Sequence, residues 1–460
     1  MTPRRFARRA LGASAVLLGV AVGACAPLPT PVPLPPPPAP GSAKGPAHGA
    51  VVPAPAAPAP FRIDGEPSVE VGLVWDADTL SLAPVKRQLT WRVGRAHDRA
   101  SGRAGVVRLS LAGGAAELRQ DDDRTPAARI TSGDTLWLGE PQDGVVLAEP
   151  QLAWRGKTWR GQGKVFVNAR GRLTLALRLP LESYLLGVVP GEIGALSDAL
   201  IEAGRAQAVA ARSYTLFYRG RRGDEGFDVF GSVEDQVYGS IESERPLATQ
   251  CVQGTRGELA LYAGAPIRAN YYSTCGGITA DVWEAFPAAG MPYLRSTRDG
   301  EGREDYCARS PQYRWREEWD AREFLDLVAR YAGAEGVPLP GPKLGDLLDV
   351  RVSARSRSAR VWRLEIETST GTIVVPAYSI RRVLRRPGPT HPILRSNLFK
   401  IDVRRDPASH RALNVVASGA GSGHGVGLCQ TGALGMAQAR KSADEILEHY
   451  YPGVTLKRMY

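Results

Sequence analysis

The sequence predicts an α+β fold, with a β-rich N-terminal part and then mixed helices and strands around a cleft. Three observations support this. Short alternating apolar segments fill about 120 residues after residue 60, an Ala-rich helical segment follows them, and later strands and helices are intermixed rather than strictly alternating. The apolar share of 43% and the charged share of 23% are typical of a globular chain.

The N-terminal residues 1–24 have the pattern of a lipoprotein signal peptide. Four arginines precede an apolar stretch, and the segment ends in Val22-Gly23-Ala24-Cys25, which has the form of a lipobox. We therefore expect acylation of Cys25 and a lipid anchor in a membrane. A secretory signal cut near Ala24 is the alternative, and the two arginine pairs also allow twin-arginine export.

Residues 25–60 are expected to form a disordered linker. Fourteen prolines lie in the 35 positions of residues 26–60. Proline removes backbone donors and fixes φ, so this segment cannot build a packed core. As an extended spacer it would reach on the order of 100 Å. Together with the leader, it predicts an exported, membrane-anchored lipoprotein that faces the periplasm or cell wall.

The net charge of +11 favours a polyanionic partner. Four of the arginines lie in the leader, which leaves +7 after processing. Nucleic acid is discounted as a partner because the leader directs the chain out of the cytoplasm. Acidic wall polymers or anionic lipid headgroups fit an exported protein better, and a simple solvated basic surface is the alternative.

Residues 61–180 are predicted to form the β-rich part. Alternating apolar residues and intervening Gly and Asp residues predict strands there. The predicted strands are Val69–Trp75, Arg92–Val93, Val106–Leu111 and Val145–Leu147, with a hairpin of Val165–Asn168 and Leu173–Leu179 around Arg170-Gly171.

Residues 181–300 are predicted to form a core and residues 301–460 a C-terminal part with a Gly-rich loop. Apolar residues at three- and four-residue steps, without proline, predict a helix over Asp198–Tyr218. Further helices are expected at Ala321–Tyr331, Ala433–Arg440 and Ala443–Tyr451. Further strands are expected at Glu258–Tyr262, Ile267–Tyr272, Asp349–Val352, Val361–Glu367 and Gly371–Val375.

Ordered motifs in this region resemble a known family. They are Glu182–Glu192 leading into Arg205–Tyr214, then Tyr272–Gly277 with Tyr293–Ser296, and finally Ser422–Ala433. In this order they are similar to the SpoIID/LytB domain family, from roughly Ser68 to the C-terminus. The resemblance implies a peptidoglycan lytic transglycosylase, which cleaves glycan strands and leaves a 1,6-anhydro end. It places the catalytic glutamate at Glu192 and the motif arginine at Arg212.

Glu192 suits this chemistry. A glycosidic oxygen needs a proton as its bond breaks, and a carboxyl group held neutral by apolar neighbours supplies it. Leu186, Val188 and Val189 precede Glu192. Arg212 is expected to bind an acidic or acetamido group or to stabilise developing charge. The segment between the two is about two residues longer than in the family, which leaves their separation open; a glutamate at a helix N-terminus is the alternative for Glu192.

The Gly-rich loop is interpreted as a wall of the substrate cleft. His424 and Gln430 are expected to hydrogen-bond to sugar, and Ser273 is a further substrate-binding candidate. A histidine that braces the loop is an equal alternative for His424. A nucleophile pair of Cys429 and His424 is discounted, because the family usually carries serine at position 429.

Four cysteines remain beyond the leader, Cys251, Cys275, Cys307 and Cys429, and they allow three pairings. Some family members bind zinc near the Cys-Gly-Gly motif through Cys and His. Here the positions flanking that motif lack histidine, and none lies between His97 and His391. We therefore expect no metal and no cofactor. A Cys275–Cys307 disulfide fits an oxidising compartment, and Cys251 and Cys429 remain as buried thiols or a second bridge.

Three functions compete at this point. The first is enzymatic cleavage of peptidoglycan glycan strands. The second is a non-catalytic module that binds the wall and stimulates a cell-wall amidase, a role also associated with the family. The third is a structural wall anchor. The presence of Glu192 favours the enzyme.

Overall fold

The computed structural model describes residues 61–94, 98–139 and 150–460. The predicted signal peptide, the lipidation site at Cys25 and the Pro-rich linker lie outside the described residues. So does the strand predicted at Val145–Leu147. The described chain is a mixture of strands and helices, which confirms the α+β class.

Twelve described strands form the N-terminal part, and the predicted hairpin around Arg170-Gly171 is among them. They are β1 (Ser68–Ala77), β2 (Thr79–Pro84), β3 (Leu89–Gly94), β4 (Asp98–Ala104), β5 (Val107–Ala112), β6 (Ala115–Gln120), β7 (Ala128–Ile130), β8 (Thr135–Leu138), β9 (Pro150–Trp154), β10 (Lys157–Arg160), β11 (Gln162–Val167) and β12 (Leu173–Pro180).

The middle of the chain contains two consecutive helices and several short strands. Its elements are α1 (Leu181–Ile193), α2 (Ile201–Tyr218), β13 (Val229–Phe230), α3 (Pro246–Gly254), β14 (Glu258–Tyr262), β15 (Ala265–Pro266), β16 (Tyr271–Tyr272), β17 (Gly300–Glu301) and β18 (Glu304–Asp305).

The remaining elements follow residue 313. They are β19 (Arg314–Asp320), α4 (Ala321–Ala332), β20 (Leu347–Arg355), β21 (Val361–Thr368), β22 (Gly371–Pro376), α5 (Ala377–Val383), β23 (Phe399–Arg405), β24 (Ala412–Ala420), β25 (Leu428–Cys429), α6 (Gln430–Gln438), α7 (Ala443–Tyr450) and β26 (Thr455–Arg458).

The N-terminal strands form two sheets on one apolar core. One sheet has the order β13-β1-β12-β11-β8-β3-β4 and the other β10-β9-β2-β5-β6-β7. Inward side chains alternate along the strands, as in β11, and Val71 and Leu177 of the first sheet share a core with Leu109 of the second. Strand β12 is buried on both faces, because Phe227 and Phe230 cover Ala176 on its other side.

Helices α1 and α2 connect this sandwich to the rest of the protein. Helix α1 packs Tyr184 and Val188 into the sandwich core. Helix α2 is buried on two faces: Ala208 and Ala211 contact the sandwich core, while Val209 belongs to a second core. This explains why α2 is rich in alanine, since small side chains let both cores approach the helix.

Among the described helices, no single one is long and apolar enough to cross a membrane. Helix α1 and the segment Asp198–Tyr218 meet that requirement only when taken together, and the pair is bent by 99°.

The predicted C-terminal part, residues 301–460, divides in two. Strands β19, β23 and β24 form one sheet, β20, β21 and β22 form another, and both share a third core with α4 and α5. The chain then returns to the second core through α6 and α7, and β26 pairs with β14. Strand β25 pairs in parallel with β16, so that Tyr271 lies opposite Leu428 and Tyr272 opposite Cys429. This pair joins the Cys-Gly-Gly motif to the Gly-rich loop.

Most predicted elements are present, with two differences. The predicted helix at Asp198–Tyr218 is a short 3₁₀ turn followed by α2, and the predicted strand at Ile267–Tyr272 is reduced to Tyr271–Tyr272. Helix α1 was not predicted. It is apolar on nearly every side and contains Pro190 and two glycines, so it shows no helical periodicity.

Candidate active site around Glu192

Glu192 lies in the last turn of α1, one residue before the helix ends. The alternative of a glutamate at a helix N-terminus is therefore wrong. The C-terminal end of a helix carries a partial negative charge, which disfavours a carboxylate there. The side chain is half-buried, whereas the adjacent Gly191 and the following Gly194 are exposed. The carboxyl group thus lies in a partly desolvated position at the protein surface.

Both carboxyl oxygens of Glu192 accept hydrogen bonds from neutral donors. Oε1 accepts from the backbone N–H of Val237 at 2.8 Å, and Oε2 accepts from Nε2 of Gln430 at 3.2 Å. Burial raises the pKa of the Glu192 carboxyl above its ordinary value, and these two hydrogen bonds offset part of the rise. Within the described residues no ion pair involves Glu192. A protonated carboxyl group is therefore favoured here more than at an ordinary glutamate.

The glycines of α1 bring the Val237 loop to Glu192. The N–H of Gly239 donates to the carbonyl oxygen of Gly187 at 3.1 Å. A Cβ atom at Gly187 would collide with the carbonyl oxygen of Gly239 and with the ring of Tyr238. The motif glycine at position 187 is thus required for close packing of the loop that supplies one of the two donors to the carboxyl group.

A buried polar network lies behind Glu192. The carbonyl oxygen of Gln236 accepts hydrogen bonds from Tyr184 and Thr215, and its amide donates to the hydroxyl of Tyr271 at 2.9 Å. Gln207 is fully buried, and its carbonyl oxygen accepts from Gln430 at 3.5 Å. The sequence did not predict a role for these residues. The available signal was Gln207, a polar residue on the apolar face of an Ala-rich helix.

Gln430 contacts Glu192 directly, and its expected hydrogen bond to sugar stays a prediction. Ser273 is half-exposed and contacts the residue that follows Gln430. Its carbonyl oxygen accepts from the N–H and the hydroxyl of Thr431, the residue after Gln430. These hydrogen bonds tie the segment just before the Cys-Gly-Gly motif to the start of α6. The Ser273 hydroxyl contacts the hydroxyl of Thr274.

Arg212 does not meet the expectation of a residue that contacts sugar. Its side chain is fully buried, and Nε and Nη2 donate to the two carboxylate oxygens of Glu182 at 2.8 Å each. Burial would raise the pKa of Glu182, but the hydrogen bonds and charge of Arg212, with the hydroxyl of Tyr460, hold it below its ordinary value. Arg212 also donates to the carbonyl oxygens of Val252 and Glu258. It is a structural residue that joins α1, α2 and α3 to β14.

His424 braces its loop, as the alternative interpretation held. Its Nε2 lies 3.0 Å from the carbonyl oxygen of Tyr271, and its Nδ1 accepts from the N–H of Val426 at 3.0 Å. Because both ring nitrogens have backbone partners, the expectation that they bind sugar is corrected. Burial and the nearby charge of Arg381 lower the pKa of His424 to about 3, so the ring is neutral.

The expected Cys275–Cys307 disulfide is absent from the structure. The two sulfurs lie 3.4 Å apart, well beyond the roughly 2.05 Å of a covalent bond. Cys429 and Asp299 lie in the same cluster, and the ligand atoms of all four residues are within 4.8 Å of one another. Cys251 lies elsewhere, against Gly204 and the carbonyl oxygen of Ile201, so no second bridge joins it to Cys429.

Two cavities in the described structure lie away from Glu192. One of about 280 Å³ is lined by residues 61–67, Leu216 and Arg219, and another of about 520 Å³ includes Gly276, Trp315 and Phe399. Glu192 is half-buried, and its neighbours Gly191, Gly194 and Val237 are exposed. A polymer can approach the carboxyl group from the side of these residues.

Comparison with known proteins identifies two regions. Residues 169–262 match the family described as stage II sporulation protein, and residues 301–427 match a domain of unknown function, DUF8618. The first match contains Glu192 and Arg212. The second largely coincides with the module that has the third core.

Several relatives resemble a larger part of the chain. Stage II sporulation protein D of Bacillus subtilis is 27% identical over 297 residues, which cover 60% of this chain and 74% of the relative. An uncharacterized protein of Brachyspira hyodysenteriae is 29% identical over 299 residues, which cover 64% and 70%. The amidase enhancer of Bacillus subtilis is 28% identical over 313 residues, which cover 59% of this chain but only 40% of that protein.

The domain match and these relatives agree with the motif order from Glu182 to Ala433. Residues 169–262 therefore carry a SpoIID family domain, and the relatives named stage II sporulation protein D and amidase enhancer support this assignment.

Proposed function

We propose that this protein remodels the cell wall by cleaving peptidoglycan glycan strands through lytic transglycosylation, with Glu192 as general acid and base. The observation that carries the proposal is a surface carboxyl group whose pKa is raised by burial and whose described hydrogen-bond donors are uncharged. The names of the sporulation and amidase-enhancer relatives support a role at the wall.

In the proposed reaction the protonated Glu192 gives its proton to the glycosidic oxygen as the bond from that oxygen to the anomeric carbon breaks. The 6-hydroxyl of the same sugar attacks the anomeric carbon and closes a 1,6-anhydro ring. The Glu192 carboxylate then takes the hydroxyl proton, which restores the starting state. One carboxyl group is sufficient, because the sugar supplies the nucleophile that a second carboxylate supplies in a hydrolase.

The two donors to Glu192 serve both proton transfers. The N–H of Val237 and the amide of Gln430 hold the carboxyl group at a set position without fixing it in the charged state, as an arginine would. Both donors are neutral, so they offset only part of the rise in pKa that burial causes.

The decisive experiment digests glycan strands stripped of stem peptides with the wild type and with Glu192→Gln. We expect 1,6-anhydro products, identified by mass, from the wild type alone. Glu448→Gln, at an exposed position of α7, is the matched control and should retain activity. Circular dichroism should show that all three proteins are folded. Equal product from Glu192→Gln would remove Glu192 from the reaction.

A non-catalytic role is the second candidate, and the likeness to an amidase enhancer favours it. It predicts that the wild type releases no anhydro product but increases the rate at which a purified cell-wall amidase digests sacculi. Glu192→Gln would then increase that rate equally.

We also propose that the protein is an exported lipoprotein acylated at Cys25 and held to a membrane through its Pro-rich linker. The lipobox supports this proposal. Cells fed a labelled fatty acid should incorporate the label into the wild type and not into Cys25→Ala, and the variant should leave the membrane fraction.

A further inference from the structure

Four buried side chains from separate segments form a cluster that the proposed reaction does not use. Cys275, Asp299, Cys307 and Cys429 each offer one ligand atom, and all four atoms lie within 4.8 Å of one another. We propose that these residues bind a single Zn²⁺ ion, with three sulfur ligands and one oxygen ligand, in a structural site. This inference does not depend on the proposed function.

The spacing fits one ion. A tetrahedral Zn²⁺ with bonds of about 2.3 Å to sulfur keeps its sulfurs about 3.8 Å apart. The sulfurs of Cys275 and Cys307 are 3.4 Å apart, and no pair in the cluster exceeds 4.8 Å. An iron–sulfur cube would need more room, because each cysteine there binds a different iron atom. Thiolates select Zn²⁺ over Mg²⁺ or Ca²⁺.

Backbone N–H groups already point at the sulfurs. Cys429 accepts from the N–H of Cys275 at 3.1 Å and from that of Gly432 at 3.3 Å, and Cys275 accepts from Gly277 at 3.3 Å. Cys429 also caps the N-terminus of α6, where positive charge favours a thiolate. Neutral thiols would gain little from these donors, whereas thiolates bound to a cation are stabilised by them.

The oxygen ligand is oriented in the same way. Oδ2 of Asp299 accepts from the N–H of Cys307 at 3.0 Å, and Oδ1 accepts from the hydroxyl of Tyr450. Asp299 is fully buried and has no arginine or lysine partner among the described ion pairs. A cation at the centre of the cluster would supply the missing positive charge.

This ligand set differs from the cysteine and histidine set that the family resemblance suggested. Histidine is missing near the Cys-Gly-Gly motif, and the sequence therefore predicted no zinc. Asp299 and Cys429 lie 24 and 154 positions from Cys275 and come together with it only in the fold. Four protein ligands fill a tetrahedral coordination shell, so the site is structural rather than catalytic.

The site would connect three parts of the chain. Cys275 follows β16, Cys307 lies just before the module of β19 to β24, and Cys429 precedes Gln430, the partner of Glu192. The ion would thus hold α6 in register with β16. It positions the active-site amide and does not contact the substrate.

Metal analysis of the full-length chain, purified without chelator and then dialysed against Zn²⁺, tests the proposal. We expect one zinc per chain in the wild type and in Cys251→Ser, whose buried cysteine lies outside the cluster. Cys429→Ser and Cys307→Ser should lose the metal. Wild-type protein without zinc, or with a Cys275–Cys307 disulfide under these conditions, would overturn the proposal.

A spectroscopic measurement on the wild type tests the site even if the cysteine variants fail to fold. Replacement of zinc by Co²⁺ in the wild type should give intense sulfur-to-cobalt charge-transfer bands and the visible bands of a tetrahedral thiolate site. Asp299→Cys should keep the metal and shift the bands towards those of a four-sulfur site, whereas an octahedral cobalt spectrum would refute the ligand set. Glu192→Gln should bind cobalt normally, so failure of the catalytic proposal leaves this result unchanged.

Discussion

Gln430 donates a hydrogen bond of 3.2 Å to Glu192 across 238 positions of sequence, and so joins the first residue of α6 to the last turn of α1. This contact is one of the points at which the first and third motifs meet, and the hydrogen bond from Gln430 to Gln207 is another. Because the donor is neutral, it lowers the pKa of the Glu192 carboxyl group without holding that group in the charged state.

Removal of the Gln430 amide should raise the pKa of Glu192. The hydrogen bond stabilises the charged form, so Gln430→Leu should move the alkaline limit of activity up by about half to one pH unit, the equivalent of about 1 kcal/mol. The rate at the optimum should fall as well. A pH–rate profile measures both effects, and Gln438→Leu at the other end of α6 should match the wild type.

The wild-type profile should itself report the environment of Glu192. Burial raises the pKa of its carboxyl group, so the protonated form needed for the first step persists to a higher pH than at an ordinary glutamate. Glycan cleavage should decline as the pH rises through this raised pKa. An alkaline limit at the ordinary glutamate value would contradict the role assigned to burial.

The Arg212–Glu182 pair should be essential for stability. Arg212→Met leaves a buried carboxylate without its partner and should reduce the free energy of unfolding by about 3–5 kcal/mol. Urea titration provides the measurement. Arg205→Met, which breaks the more exposed pair with Glu202, should cost less than about 1 kcal/mol.

The pH dependence of the same pair has a definite sign. The pKa of Glu182 is lowered in the folded protein, so its stabilisation is present above the ordinary carboxyl pKa and is lost as the pH falls through the lowered value. In Glu182→Gln that acid-dependent loss should disappear. An Arg212→Met protein with full stability but no glycan cleavage would restore the role in catalysis that the sequence suggested.

His424 should contribute an acid-sensitive part of the stability. Its pKa of about 3 in the folded protein lies below the ordinary value. Below about pH 6.5 the imidazole ring is therefore protonated in the unfolded chain while it stays neutral in the folded chain. At pH 5 this should cost about 1–2 kcal/mol. In urea titrations, the free energy of unfolding of His424→Gln should decrease less between pH 7 and pH 5 than that of the wild type. An unchanged decrease would indicate that another group is responsible.

The sequence predicted local features well and tertiary partners poorly. The periodicity of α2 and the hairpin of β11 and β12 were evident, because each depends on neighbours close in sequence. Glu192 and Gln430 were identified by motif, and they do meet. The partner of Arg212 was not predicted, because Glu182 lies 30 residues earlier in an apolar helix without periodicity. The Asp299 cluster was missed for the same reason.

The module between β19 and β24 enters and leaves through paired strands, with Arg314 opposite Ala420 and Asp320 opposite Asn414. Its two ends therefore lie side by side, as is common for the termini of compact units. Residues on either side of the module, Cys307 and Cys429, belong to the second core. The body of the module is nevertheless tied to that core, because the buried side chain of Arg360 donates to the carbonyl oxygens of Cys275 and Ile278. A change within the module would therefore be transmitted to the segment that carries the Cys-Gly-Gly motif.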